Sequence, residues 1–336
     1  MSGSMRTAVA QACANVALVK YWGKRDPRLN LPAVGSLSVT LADLTATARV
    51  AASDTDSPPV FTQDGRPVDG IAAAQMSSFL DEIGRRARFA GRLATAVEAN
   101  FPVGAGLASS AAIYCAVASA AASVAGLRVS RGELSGIARV GSGSAARSVF
   151  GGFAEWSRGD RDDGSDSIAR PLLEEHEWDL AVAVAIVSEA RKEIASRDAM
   201  EHVARSSPLY RGWIDAQEED LANARRAIAE RDLDRLGEIA EENCLRMHAT
   251  CLAARPPVLY FRTATVAAIE AVWELRRRGL SAYFTIDAGP QVKVLCRRES
   301  LATVAAALGA VPGVLRVVST RPGPGVRMIE GEAPWR

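Results

Sequence analysis

Five segments of this chain combine residue types that could do chemistry. The first is residues 101–110, Phe101-Pro102-Val103-Gly104-Ala105-Gly106-Leu107-Ala108-Ser109-Ser110. Its glycines let a backbone approach a phosphate, its successive amides can point inward, and a helix predicted to follow adds partial positive charge at its N-terminus. An ordinary Gly-rich turn, with Ser109 or Ser110 as helix N-cap, has the same composition. The segment is neither a Walker A loop nor a G-x-G-x-x-G fingerprint. The second is Gly141-Ser142-Gly143-Ser144-Ala145-Ala146-Arg147, where two hydroxyls, open amides and a guanidinium can hold a phosphate or carboxylate. In the third, Lys20-Tyr21-Trp22-Gly23-Lys24, two lysines four apart and a phenol could clamp a diphosphate, although a basic, aromatic strand end on the surface reads the same way. The fourth, Lys192 to Arg197 with Ser196 between, adds donors for phosphate oxygens or forms a solvated helix start. The fifth is Asp287-Ala288-Gly289-Pro290, an acid on a strand-to-turn junction that can orient or deprotonate a hydroxyl, or simply close an Asx turn.

The elements around them must supply the positioning. Residues 12–20 and 36–50 are rich in β-branched types and predict strands, and residues 58–70 predict a hairpin or surface loop. Apolar residues at helical spacing (Met76, Phe79, Leu80, Ile83) predict a surface helix over 71–89. Residues 111–125 are almost wholly small or apolar, so a helix there is packed on every side and stops at Gly126. Ser130 and Glu133 form a capping box for a short helix ending near Gly141. The Gly/Asp/Ser patch 159–167 predicts a hairpin or mobile loop near a lobe boundary, before a strand at 180–187. Further on, 207–252 and 258–278 read as helical, and 281–286 and 291–296 as strands.

Bulk properties exclude several classes. At 336 residues the chain exceeds what one core usually fills, so two lobes are expected, over 1–180 and 181–336. Lys and Arg total 40 against 39 Asp and Glu, so no global field draws it to nucleic acid or to an anionic membrane. Five cysteines without C-x-x-C spacing argue against a disulfide scaffold or zinc site and for a reducing, cytoplasmic setting. Residues 1–11 have no signal-peptide pattern, and no apolar run is of membrane-spanning length. His176, His202 and His248 lack a metal-ligand rhythm, and no G-x-S-x-G elbow supports serine hydrolysis.

Taken in order, Lys20 to Lys24, 101–111, 141–148, Lys192 to Arg197 and Asp287 to Pro290 resemble diphosphomevalonate decarboxylase, a family of the GHMP kinase superfamily. The likeness runs from residue 14 to about 295 and is strongest over 16–41, 100–112, 140–156 and 285–295. It implies an α+β fold of two lobes, a ribosomal protein S5 domain 2-like N-terminal lobe and a ferredoxin-like C-terminal lobe, with the active site in the cleft. It also implies ATP- and Mg²⁺-dependent conversion of (R)-5-diphosphomevalonate to isopentenyl diphosphate, and a homodimer. By that resemblance Asn100, Pro102, Gly104, Gly106, Leu107, Ala108, Ser109 and Ser110 hold the ATP phosphates, with Ser110 also near Mg²⁺. Lys20, Tyr21, Lys24, Ser142, Ser144, Ser196 and Arg197 hold the substrate diphosphate. Arg147 takes the C1 carboxylate, Asp287 faces the C3 hydroxyl, and Lys192 lies near the transferred phosphoryl group. Three positions depart from the family pattern. Val34-Gly35 stands where Asn-Asp is common, Ala195 where Ser is typical, and Gln291 in place of Asn. A kinase that does not decarboxylate, a monophosphate decarboxylase and a non-catalytic phosphometabolite-binding paralogue are the competing readings.

Overall fold

The computed structural model describes residues 6–53, 61–190 and 192–335. The larger sheet is built on two long antiparallel strands, β1 (Thr7–Val19) and β4 (Ser36–Ser53). A small hairpin of β2 (Lys24–Asp26) and β3 (Leu31–Pro32) lies between them in sequence. On the edge of β4 opposite β1, its C-terminal half pairs with β7 (Arg92–Ala99), which leads to β5 (Phe61–Gln63) and β6 (Arg66–Pro67), and its N-terminal end pairs with β8 (Phe153–Trp156), which leads to β9 (Ala169–Leu173). The expected hairpin near 58–70 is therefore present from Phe61 onward, turning at left-handed Asp64 and Gly65; Pro58 to Val60 lie outside the described residues.

α1 (Gly70–Ala87) and α3 (Arg131–Gly141) flank α2 (Ser109–Val124), whose sixteen residues are all buried except Ser110, Tyr114 and Ser123. So many alanines make α2 thin enough to lie close against β1 and β4, and left-handed Gly126 ends it as expected. The Ser130/Glu133 capping box opens α3. A 3₁₀ helix over Gly143–Val149 follows directly.

The second sheet is antiparallel, in the order β11 (Ala282–Thr285), β12 (Val292–Arg297), β10 (Leu180–Ile186), β13 (Arg316–Thr320). The sequence of β10, Leu-Ala-Val-Ala-Val-Ala-Ile, is apolar throughout because both faces are covered. Val182, Val184 and Ile186 join the core shared with the first lobe, whereas Ala181, Ala183 and Ala185 face α7 (Thr263–Arg277) and α8 (Leu301–Gly309). Between β10 and β11 also lie α4 (Ser196–Ser206), α5 (Tyr210–Glu230) and α6 (Leu233–Leu252).

Several expectations are corrected. The helical stretch 207–252 is two helices, broken at left-handed Arg231 and restarted by Asp232, whose carboxylate accepts from the Arg235 amide. The helix expected from 258 begins at Thr263, where the Arg262 amide donates to the Thr265 hydroxyl across the first turn. The 159–167 patch is a loop joining paired β8 and β9, inside the first lobe. The last strand, β14 (Arg327–Glu330), pairs with β1, so the chain ends back on the larger sheet.

Candidate active site

The acid at the end of β11 sits between two ammonium groups. Asp287 Oδ1 accepts a 2.8 Å hydrogen bond from Lys20 Nζ, and Oδ2 lies 3.2 Å from Lys293 Nζ without hydrogen-bond geometry. Its carboxylate accepts from no backbone amide, so the Asx turn weighed above is not formed. Lys20 follows β1; its Nζ also donates to Ala17 O, and its backbone amide donates to Asn243 Oδ1 on α6. Burial works to raise the pKa of Asp287, but Lys20 and then Lys293 outweigh it and hold the carboxyl well below the ordinary range. The side chain retains 20% exposure, while both lysines keep only 2%. One face of the acid is therefore open to a ligand.

Against this turn packs the 101–110 loop. Gly104, Gly106 and Ala108 have φ of 80°, 88° and 55°, so alternate residues are left-handed, the geometry that gathers amides into an anion-binding concavity. A Cβ on Gly106 would meet the Gly289 Cα at 2.8 Å, and one on Gly289 would meet the Gly106 Cα at 2.6 Å. Only glycine fits on either side. The loop carbonyls are held from the second lobe: Gly104 O accepts from the Lys192 amide, Ala105 O from Gln291 Nε2, and Gly106 O from Lys293 Nζ. The amides of residues 105–110 donate to no protein group among the described residues. Neither serine caps α2, as one reading of the segment expected: the N-cap is Ala108, and Ser109 Oγ instead accepts from the Gly104 amide inside the loop. Asn100 spends its carboxamide on β4, accepting from Thr45 N and donating to Asp43 O, so its side chain anchors the loop. Leu107 is buried in the core and Pro102 is half-buried.

The second turn faces the first. Ser142 Oγ donates to Ser110 Oγ at 3.1 Å and lies 3.3 Å from Ser144 Oγ. The Tyr21 ring fills the space beside Gly143, where a Cβ would come within 2.7 Å of it. From the 3₁₀ helix, Arg147 donates through Nη1 to Ser36 Oγ (2.5 Å) and through Nη2 to Asn15 Oδ1 (3.1 Å), yet its buried Nε has no partner. Burial brings this guanidinium down to about 10, still cationic near neutrality.

Two further lysines complete the basic lining. Lys192 Nζ donates to Ser196 Oγ (2.5 Å) and to Ala288 O (3.1 Å). Burial lowers it to about 8 against the pull of Asp287. Lys24 falls to about 8 through burial first and then the repulsion of Arg197. Neither Lys24 nor Arg197 has a side-chain hydrogen bond or ion pair among the described residues. The buried Tyr21 hydroxyl is likewise unpartnered, and burial raises its pKa. Repelling cations, idle donors and open amides in one place suit a multiply charged anion. No group of three or more His, Cys, Asp or Glu able to hold a metal occurs among the described residues. The donor set therefore fits a cation held mainly by ligand phosphate oxygens with help from Ser110.

All five segments thus line one cleft. Lys293, Asn15 and Ser36 were not singled out as site residues by sequence reasoning, and Gly289 was read as part of a turn and not as a contact of the 101–110 loop. Lys293 reads as an outward residue in Val-Lys-Val, although that face of β12 looks onto the loop. Of the departures, Gly35 faces Leu221 Cδ1 of α5, which lies 2.8 Å from where a Cβ would stand and would have to move aside for one, and Val34 is buried with Trp22 and Trp213. Gln291 is buried, accepting from Val187 N and donating to Ala105 O and Ser188 O. His248 is buried beside Phe261 with its pKa lowered to about 3, a structural role.

Residues 12–169 match the family model described as "Diphosphomevalonate decarboxylase-like N-terminal domain", and residues 182–319 match "Mevalonate 5-diphosphate decarboxylase C-terminal domain". The diphosphomevalonate decarboxylase of Bos taurus is 36% identical over 321 residues, 88% of this chain and 78% of that protein. The crystal structure of mevalonate diphosphate decarboxylase from Staphylococcus aureus superposes with a TM-score of 0.91 at 35% identity, covering 97% of this chain and 99% of that one. A structure described as MDDEF in complex with MVAPP, AMPPCP and magnesium gives 0.90 at 35% identity, covering 97% and 100%.

Proposed function

The chain belongs to the diphosphomevalonate decarboxylase family, and from that premise we propose that it catalyses ATP-dependent decarboxylation of (R)-5-diphosphomevalonate to isopentenyl diphosphate, releasing ADP, phosphate and CO₂. The fold is the two-lobed α+β GHMP kinase type. The observation that carries the reading is the pairing of two anion sites around one ionised acid. Lys293 joins the 105–110 loop to Asp287, while Arg147 feels the charge of Asp287 and lies within electrostatic reach of Tyr21, which is near Arg197 and, through it, Lys24.

ATP with Mg²⁺, when bound, supplies the phosphoryl group that turns a tertiary hydroxyl into a leaving group. In this reading the 105–110 amides bind the nucleotide phosphates, and Ser110 reaches the metal. Lys24, Arg197, Tyr21, Ser142, Ser144 and Ser196 bind the substrate diphosphate, whereas Lys20, expected with them, has its ammonium on Asp287 and Ala17 O. Arg147, through its unpartnered Nε, fixes the C1 carboxylate so that the C1–C2 bond aligns with the departing C3 oxygen. Asp287 orients the C3 hydroxyl. With its basicity depressed by Lys20 and Lys293, it is a poor proton acceptor, so its larger contribution is a fixed negative charge beside the positive charge that develops at C3. Lys192 offers its ammonium to the phosphoryl group in transit. The C3 oxygen gains the phosphoryl group as its proton passes to solvent; the C3–O bond then breaks toward phosphate, and the C1–C2 pair forms the C2–C3 alkene as CO₂ leaves.

A homodimer and a cytosolic setting belong to the same proposal. All five cysteines are free and buried, and no helix among the described residues is long and apolar enough to cross a membrane. Molar mass in solution tests the dimer. The activity is tested by measuring ADP and CO₂ together with diphosphomevalonate, the monophosphate or mevalonate as substrate. Equimolar ADP and CO₂ from the diphosphate alone is expected; ADP without CO₂ returns the chain to a kinase, and CO₂ from the monophosphate alone to the monophosphate enzyme.

A further inference from the structure

We propose that Lys293 is a positioning residue which ties the nucleotide loop to the catalytic acid, so that the loop carbonyl of Gly106 and the Asp287 carboxylate are set by one ammonium group. Strand β12 alternates: Val292, Val294 and Cys296 face α7 and α8, while Lys293 and Leu295 point toward the first lobe. That register delivers the Lys293 Nζ to Gly106 O at 2.9 Å and to Asp287 Oδ2 at 3.2 Å, with the residue 2% exposed. A lysine is an expensive filler for such a site, since an apolar side chain of equal length costs no desolvation. Its two partners belong to different parts of the reaction, and no other side chain among the described residues touches both.

The contact is reinforced by shape. Gly106 and Gly289 meet Cα to Cα, so the loop and the Asp287 turn cannot shift independently, and Gln291 adds a second tether at Ala105 O. The charged or titratable groups facing Asp287 are Lys20 after β1, Lys293 on β12, Lys192 before α4, Arg147 on the 3₁₀ helix, and Cys244 and His248 on α6. Of these, Lys20 and Lys293 alone reach ion-pair distance, and they take different carboxylate oxygens. Lys20 donates to no loop carbonyl among the described residues, so removing Lys293 perturbs both nucleotide binding and the acid, whereas removing Lys20 perturbs the acid and the Ala17 carbonyl and leaves the loop.

This rests on the decarboxylase reading. The test compares K293M and K293R with the full-length wild type, using KM for each substrate, kcat and the pH dependence of kcat/KM. K293M is expected to raise KM for ATP about tenfold, leave KM for diphosphomevalonate within about twofold, and move the acid limb upward by about one to three pH units. K293R keeps the charge and so keeps the wild-type acid limb, while its bulkier head displaces the loop and raises KM for ATP. If K293M does not fold, K293R carries the test by that split. A merely structural lysine lowers active-enzyme yield with both KM values and the pH limb unchanged, and that result overturns the proposal, as does a K293R enzyme with wild-type KM for ATP. A wild type that releases no CO₂ defeats the decarboxylase reading instead, independently of either variant.

Discussion

The two glycine- and serine-rich turns look alike in sequence, yet they are built to grip in opposite ways. In the 101–110 loop the grip is backbone: three left-handed residues expose amides, Ser109 is consumed internally, and the cation behind the loop, Lys293, arrives from the other lobe. In the 141–147 turn the grip is side chain: no residue is left-handed, Ser142 and Ser144 face the cleft, and the turn carries its own cation, Arg147. A backbone cradle accepts any phosphate of the right shape, whereas a buried guanidinium with one idle N–H selects a specific anion at a fixed distance. In the proposed reading, that difference is what lets one cleft hold two polyanions without exchanging them.

The substitution expected to matter most is at the side-chain site. R147Q removes the proposed carboxylate clamp and should lower kcat by roughly a thousandfold with little change in KM for ATP, a split that steady-state kinetics reads directly. Thermal denaturation of the same variant separates this from the loss of the Ser36 and Asn15 contacts. At the backbone site the gripping amides cannot be removed by substitution, so the corresponding change adds a side chain. G106A places a Cβ against Gly289 at φ 88°, which should cost about 1–3 kcal/mol of stability and weaken ATP by about tenfold to a hundredfold, leaving diphosphomevalonate affinity nearly unchanged. Equal damage to both affinities would erase the distinction between the turns.

The smallest effect concerns pH. Lys24 and Lys192 sit near 8 instead of the usual lysine value, with burial the main cause in each. Both act as ammonium groups, so each contribution is complete below that pH and is lost as pH rises through it. The kcat/KM profiles should bend downward above about pH 8, by at most about tenfold per unit for each group. K24M should flatten the limb measured for diphosphomevalonate and leave that for ATP.

Much of this architecture was legible in the sequence where the information is local. The alanine-rich α2, the capping box of α3 and the two long strands each declare themselves within a few residues. All five chemical segments were found because glycine, serine and charge cluster there. What stayed hidden depends on contacts between distant segments. Gly106 and Gly289 are close only because two lobes meet, so nothing local marks either as sterically forced. Lys293 follows the alternation of a half-exposed strand, but its strand is covered on both faces and the lysine has a partner 187 residues away. The sequence left the start of α2 open because Ser109 had two acceptable uses, and bonding to Gly104 inside the loop won over capping.

The most direct test of the account is a structure of the protein with diphosphomevalonate, a non-hydrolysable ATP analogue and Mg²⁺. The account predicts the analogue's phosphates on the 105–110 amides and the substrate carboxylate on Arg147 Nε, with the C3 hydroxyl against Asp287. A substrate bound with its diphosphate on the 105–110 loop, or with its carboxylate away from Arg147, would contradict it.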